Sequence, residues 1–255
     1  MDMPHHLIYG ISGDVMIIDF HSHILPALDD GSRNVCETVE MLHVMEKQGV
    51  ECVVATPHFY PNRKGLKEFL DNREKAYKEI VSCNLTNVPS VRCGAEVAFF
   101  RGIGKSEQLD GLCIENTKLM LLEMPFRNWT TQDLVEIERI LDTGITPILA
   151  HVERYYSLQQ DQSAFRAIMQ LPLYIQLNAE AFSTFRMRRV AYKIINFGRP
   201  ILLGSDCHDL KERYPNLLAG RKALQKKYGE SYLSDMDSLG EMLLSSDSYI
   251  EERDT

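Results

Sequence analysis

The chain has 255 residues, 44% hydrophobic and 25% charged, an ordinary globular balance at a length that one α/β barrel fills. A formal net charge of −8 argues against a nucleic-acid footprint spread over the surface, though not against an anionic substrate, because bound divalent cations invert a local field. No apolar run approaches the roughly 20 residues that cross a bilayer, and six cysteines without a C-x-x-C pair read as reduced thiols of the cytoplasm.

Residues 1–15, with His5 and His6, lack the pattern of a signal peptide and read as an extension outside the fold. Residues 16–255 then form a single domain. The first predicted strand, Val15–Phe20, runs into His21, His23 and Asp29-Asp30-Gly31. Val35, Val39, Leu42 and Met45 recur at helical spacing before Gly49, with His43 inside that helix read as a surface or internally satisfied side chain and not a ligand. A second strand, Glu51–Thr56, leads to Pro57 and His58, and a helix is predicted from Leu66 to Val81. A third strand, Val91–Val97, passes through Gly94-Ala95-Glu96. Gly102-Ile103-Gly104-Lys105-Ser106 imitates the end of a P-loop, but Phe99 stands where its first glycine belongs, so a plain surface loop is expected.

The fourth strand, Lys118–Glu123, closes on a carboxylate, and a helix from Asp133 to Leu141 ends before Gly144. The fifth, Thr146–His151, opens into His151-Val152-Glu153-Arg154-Tyr155. A helix over Ala164–Met169 precedes the sixth strand, Tyr174–Asn178, which leads to Ala179-Glu180. After a helix from Arg188 to Phe197, stopped at Gly198, the seventh strand, Pro200–Gly204, gives Ser205-Asp206-Cys207-His208. Helices over Leu217–Tyr228 and Met236–Leu244 finish the chain.

Alternating strand and helix implies a parallel sheet with right-handed crossovers. Seven units suggest a closed or nearly closed barrel; an open doubly wound sheet is the alternative, without a Gly-rich turn after the first strand to support it. In a parallel barrel every C-terminal strand end faces one mouth. Five of the eight histidines and four carboxylates sit at these ends. Strand residues two apart point the same way, so His21 and His23 converge, as do Asp206 and His208. Imidazole and carboxylate together suit divalent ions such as manganese, zinc and iron, and nine donors exceed the needs of one ion, so two or three are expected. Taken singly, a strand-end histidine is more often an ordinary polar residue, and Glu96 or Glu123 a helix cap; the ordered series favours ligands.

The segments DFHSHILPALDDGS, TPHF, GAE, LLEMPF, ITPILAHVERY and LLGSDCHD, in this order over most of the chain, resemble the polymerase and histidinol phosphatase (PHP) superfamily. Within it they are most similar to the bacterial manganese-dependent protein-tyrosine phosphatases of capsule and exopolysaccharide loci, the CpsB/YwqE type. The resemblance implies an α/β fold, a distorted TIM-like (β/α)7 barrel (the PHP fold). It implies a metal set of His21, His23, Asp30, His58, Glu96, Glu123, His151, Asp206 and His208, a phosphate-binding Arg154, and Arg213 near the pocket mouth. It also implies a substrate: the tyrosine-phosphorylated C-terminal tail of a membrane-associated bacterial tyrosine kinase. A homo-oligomer is left open.

The mechanism expected is attack on phosphorus by a hydroxide shared between metals, with Arg154 on the non-bridging oxygens and no covalent phosphoenzyme. A tyrosine-phosphatase signature of another kind, C-x5-R, is met by Cys207 to Arg213, but that loop has no glycine and carries Asp209 and Glu212, which repel phosphate. The rival readings are another phosphoesterase of the superfamily, acting on histidinol phosphate or short oligonucleotides, and a metal-stabilised regulatory module without catalysis.

Overall fold

The computed structural model describes residues 15–63, 65–106 and 109–245. Of the expected N-terminal extension only Val15 falls within them, and His5 and His6 lie outside the described residues. The elements run β1 (Ile18–Ser22), α1 (Val35–Glu46), β2 (Cys52–Ala55), β3 (His58–Phe59), α2 (Leu66–Ser82), β4 (Ser90–Cys93), β5 (Glu96–Ala98) and β6 (Leu119–Glu123). They continue α3 (Thr131–Asp142), β7 (Thr146–Leu149), α4 (Glu153–Tyr156), α5 (Ser163–Ile168), β8 (Tyr174–Asn178), α6 (Phe185–Ile195), β9 (Ile201–Gly204), α7 (Leu217–Tyr228) and α8 (Glu230–Leu244).

Every strand pairing is parallel, in one sheet ordered β1-β2-β4 and another ordered β3-β5-β6-β7-β8-β9. These sheets are two parts of one barrel wall. The Gly94 N–H donates to Ala55 O at 2.8 Å and the Glu96 N–H to Pro57 O at 3.0 Å, which carries the pairing across the gaps between β2 and β3 and between β4 and β5. Each pair is thus one kinked strand, and the seven positions expected from the sequence are recovered. The third strand, expected unbroken over Val91–Val97, is interrupted at Gly94-Ala95, and the second stops at Thr56-Pro57. Pro57 has no N–H to give a ladder. The ring closes between β1 and β9: Asp206 N–H donates to His21 O at 2.7 Å and His23 N–H to Cys207 O at 2.9 Å.

Two apolar clusters follow from side-chain alternation. Ile18, Val54, Leu121, Ile148 and Leu202 meet in one, although their strands lie on different sides of the ring, so this cluster fills the barrel. The neighbouring Val53, Leu122, Leu149 and Leu203 join the other, with Ile137 of α3 and Ile194 of α6, between wall and helices.

Several boundaries differ from the sequence reading for identifiable reasons. The fifth strand ends at Leu149, not His151, because His151 turns to φ 32°. Helix α3 starts at Thr131 because Thr130 and Asp133 form a capping box. Helix α6 starts at Phe185 because the Thr184 hydroxyl accepts from the Met187 N–H. Helix α8 begins at Glu230, its polar first turns hiding it from an apolar-periodicity reading. The segment expected as a plain loop, Gly102–Ser106, contains a short 3-10 turn, Ile103–Lys105, with Ile103 fully buried. It packs so tightly on α3 that a Cβ on Gly104 would lie 2.9 Å from the Arg139 carbonyl carbon.

Candidate metal centre

β1 aims His21 and His23 into the mouth, and their Nε2 atoms approach to 3.1 Å. The turn that brings Asp29 and Asp30 back over them depends on Gly31: a Cβ there would sit 2.1 Å from His23 O. Ser32 N–H then donates to the same oxygen at 2.9 Å.

Glu96, at the start of β5, is the hub. Its Oε2 lies 3.4 Å from His21 Nε2, 3.3 Å from His23 Nε2 and 2.9 Å from His58 Nδ1, while Oε1 lies 2.8 Å from His151 Nε2. Glu123 at the end of β6 is 3.8 Å from His151 Nε2. Asp206 Oδ1 is 3.5 Å from the Nε2 of both His21 and His23. Asp30 reaches His58 at 3.5 Å and His208 at 3.4 Å. All nine residues named from the sequence therefore meet at one mouth. Within it, three groups bring their donor atoms within 4.8 Å of one another: His23, Asp30, His58 and His208; His21, His23 and Glu96; and His58, Glu96 and Glu123.

The rings are held from behind. Asp29 Oδ2 lies 2.7 Å from His23 Nδ1, and Gln176 Oε1 lies 3.1 Å from His21 Nδ1. Carboxylate and amide oxygens only accept, so each Nδ1 carries the proton and a neutral ring presents a bare Nε2. Two such lone pairs at 3.1 Å repel. Either a proton or a cation must lie between them, and the surrounding carboxylates favour both. Burial alone would keep His21 neutral, yet Glu96 and Asp206 raise its pKa. In the same way burial is outweighed at His23 by Asp29, Asp206 and Glu96. Glu96 and Asp206 are held well below the usual carboxylate range against their burial, by His21 and His151 for the first and by His21, His23 and Arg154 for the second. Glu123 goes the other way, to about 7, through burial and the charge of Glu96.

Gln176 does more than hold His21. Its Oε1 also accepts the His151 N–H at 2.7 Å, and its Nε2 donates to Asn178 Oδ1 at 2.8 Å. Asn178 in turn donates to Asp206 Oδ2 at 2.8 Å. One buried chain of amides thereby fixes three strand ends, two of which, His151 and Asp206, have positive φ of 32° and 53°. Asp29, Gln176 and Asn178 were not singled out from the sequence as ligand supports. A polar Gln inside the buried run Tyr174–Asn178 was the available signal, since a buried amide needs partners.

Both arginines rest on Asp206: Arg154 Nη2 on Oδ2 at 2.7 Å and Arg213 Nη2 on Oδ1 at 2.6 Å, with Arg213 Nη1 2.7 Å from His208 Nε2. The cysteine reading finds no support, because Cys207 is fully buried and burial drives its thiol well above its ordinary pKa. His43 lies on the exposed face of α1, as expected. Beside the charged basin stands an exposed aromatic face. Phe126 is 55% exposed, its ring 6.0 Å from that of His151 and 4.9 Å from that of Tyr155. A cavity of about 300 Å³ opens on the other flank, between Asp30, His58, Tyr60 and Arg63.

These features define a parallel α/β barrel with a histidine–carboxylate basin at the C-terminal mouth of its strands. The chain matches the family described as capsular polysaccharide synthesis, CpsB/CapC, over residues 17–239, and belongs to it. It is 29% identical over 231 residues to the tyrosine-protein phosphatase CpsB of Streptococcus pneumoniae, covering 84% of this chain and 91% of that one. To the tyrosine-protein phosphatase YwqE of Bacillus subtilis it is 25% identical over 245 residues, covering 89% and 91%. A solved structure from work on these two proteins, described as unique metal-dependent tyrosine phosphatases, superposes with a TM-score of 0.76 over 90% of this chain and 95% of that one. At 21% identity this last likeness carries the fold.

Proposed function

We propose that this chain is a metal-dependent protein-tyrosine phosphatase whose centre takes two or three divalent cations, manganese by preference and iron or zinc otherwise. His21, His23, Asp30, His58, Glu96, Glu123, His151, Asp206 and His208 would hold them. The observation that carries the reading is the facing pair of Nε2 atoms 3.1 Å apart in a ring of carboxylates, a donor set that calls for a cation.

Cations bound there would supply Lewis acidity and a water acidified toward neutral pH. The chain's own groups do the rest. Asp29 and Gln176 keep the lone pairs of His23 and His21 turned into the mouth. Arg154 and Arg213, about a third exposed, have the planar fork that fits the non-bridging oxygens of a phosphate. Phe126 offers an apolar face to an aryl group beside that charge. The leaving phenol has a pKa near 10, so a dedicated general acid matters less than it does for an alkyl phosphate.

The substrate fitting this reading is the tyrosine-phosphorylated tail of a membrane-associated bacterial kinase, met in the cytoplasm. Support comes from the names of the relatives and from the family's place in capsular polysaccharide synthesis. No helix among the described residues is long and apolar enough to cross a membrane. The test is hydrolysis by protein stripped with chelator and resupplied with manganese, on phosphotyrosine peptide, phosphoserine peptide and histidinol phosphate. Turnover of the phosphotyrosine peptide alone is expected. Faster turnover of histidinol phosphate, or activity indifferent to chelator, sinks the proposal.

A further inference from the structure

Between Glu180 and Asp206 the sequence has no carboxylate, although the chain as a whole is acidic. That stretch contains α6, which carries Arg186, Arg188, Arg189 and Lys193. Solvated helices usually mix the two signs along their faces. Here Arg186, Arg189 and Lys193 are exposed at i, i+3 and i+7, which lines them along one side of the helix. None of the ion pairs among the described residues involves these four cations. Arg188 is half-buried, and its Nε is buried without a hydrogen-bond partner. Phe185 begins the stripe, 74% exposed, with the Arg189 guanidinium 5.8 Å from its ring centre.

The place of α6 gives the stripe its use. The helix follows β8, whose last residue, Asn178, bonds Asp206 in the basin. It packs beside α4, which carries Arg154, and Lys193 Nζ lies 5.7 Å from the ring centre of Tyr156 on α4. We propose that the α6 stripe is a docking surface for acidic side chains a few positions from the phosphotyrosine of a peptide substrate, with Phe185 as an apolar foothold. The inference rests on the phosphatase reading for the phosphotyrosine itself, and on charge complementarity for the flank. An anionic membrane is the poorer occupant, since a surface-bound helix must insert an apolar face and that of α6, Ala191, Ile194 and Ile195, is buried in the protein.

The test compares the full chain with its Arg186→Glu/Arg189→Glu variant. The probes are a fluorescent phosphotyrosine peptide flanked by glutamates and its counterpart flanked by glutamines. Binding is followed by anisotropy, so the outcome does not depend on turnover and stays distinct from failure of the phosphatase reading. The glutamate peptide should bind the variant roughly tenfold more weakly, with a shallower salt dependence, and the glutamine peptide should be unaffected. In the steady state the KM for the glutamate peptide should rise while kcat holds. Equal weakening for both peptides, or none for either, overturns the docking surface. So does loss of binding to phosphatidylserine vesicles with peptide affinity unchanged. Arg186→Gln/Arg189→Gln, which removes charge without reversing it, should fall between the two proteins; should it lose both peptides alike, the effect is structural and the surface is again overturned.

Discussion

The amide of Gln176 serves three candidate ligands at once, through His21 Nδ1, the His151 N–H and, by way of Asn178, Asp206. Supports of this kind tune metal affinity by about 10- to 100-fold when removed. Gln176→Ala should therefore weaken manganese binding by about that factor in calorimetric titration, with the fold retained. Unchanged affinity would make the amide chain a purely structural feature. Gly204 is the companion case: a Cβ there would stand 2.6 Å from the His21 Cβ and 2.7 Å from Gln176 Nε2, so Gly204→Ala should injure the same site by pushing on both. His21→Ala should cost activity at least about a hundredfold, and Cys207→Ser should leave most of it. The reverse pattern in paired kinetics would restore the thiol reading. At this scale the sequence was informative wherever residue type and strand-end position sufficed, as for His21 and His23. Residue type and spacing did not separate Asp29 from Asp30; only the family resemblance singled out Asp30 as a ligand, and it gave Asp29 no role. The side chain of Asp29 is 7% exposed, tucked against His23 Nδ1, while that of Asp30 is 65% exposed, a difference made by the Gly31 turn and invisible in an Asp-Asp pair.

The elements were legible as a repeat and less so at their ends. Apolar runs located every position of the barrel wall, because strands buried on both faces carry that signal. The kink at Thr56-Pro57 and the early stop of β7 arise from backbone conditions that hydropathy does not encode. Side-chain caps set the starts of α1, α3 and α6, and α3 allows one of them to be weighed. Burial raises the pKa of Asp133, but paired hydrogen bonds from Arg127 at 2.7 Å and a bond from the Thr130 N–H at 2.8 Å win and hold it below the usual carboxylate range. A depressed folded-state pKa means stability that is present above the unfolded value and lost as pH falls through the folded one. Arg127 is 44% exposed, so water screens its share and the capping bonds carry most of the effect. Asp133→Ala should cost roughly 1–2 kcal/mol at neutral pH, read from urea unfolding. The gap to the unaltered protein should begin to narrow below about pH 4, where the unfolded carboxylate takes up its proton first, and close as pH falls through the lower folded-state value. A gap that stays constant with pH would assign the loss to helix propensity alone.

Across the whole molecule the basin is also where the ring closes. β1 and β9 meet through a short run of bonds beside Asp206, and the residues of that seam, His21, His23, Asp206 and His208, are the ones proposed to share cations. The segments that supply the donors stand far apart in sequence, from β1 to the turn after β9, so the set converges only when the barrel is closed. A cation bound there stabilises the folded state alone, by about 2.7 kcal/mol at a hundred times its dissociation constant. Chelator-treated protein should therefore melt at a temperature that climbs steadily with added manganese, and magnesium, which suits all-oxygen sites, should raise it far less. Removing imidazoles from the seam separates this linkage from loose surface binding. In His21→Ala/His23→Ala the manganese-dependent rise should vanish, and the metal-free variant should remain folded, because the change also relieves the two facing nitrogens. A full rise in that variant would mean that manganese stabilises the fold from some other place, and the basin would lose its claim to the metal.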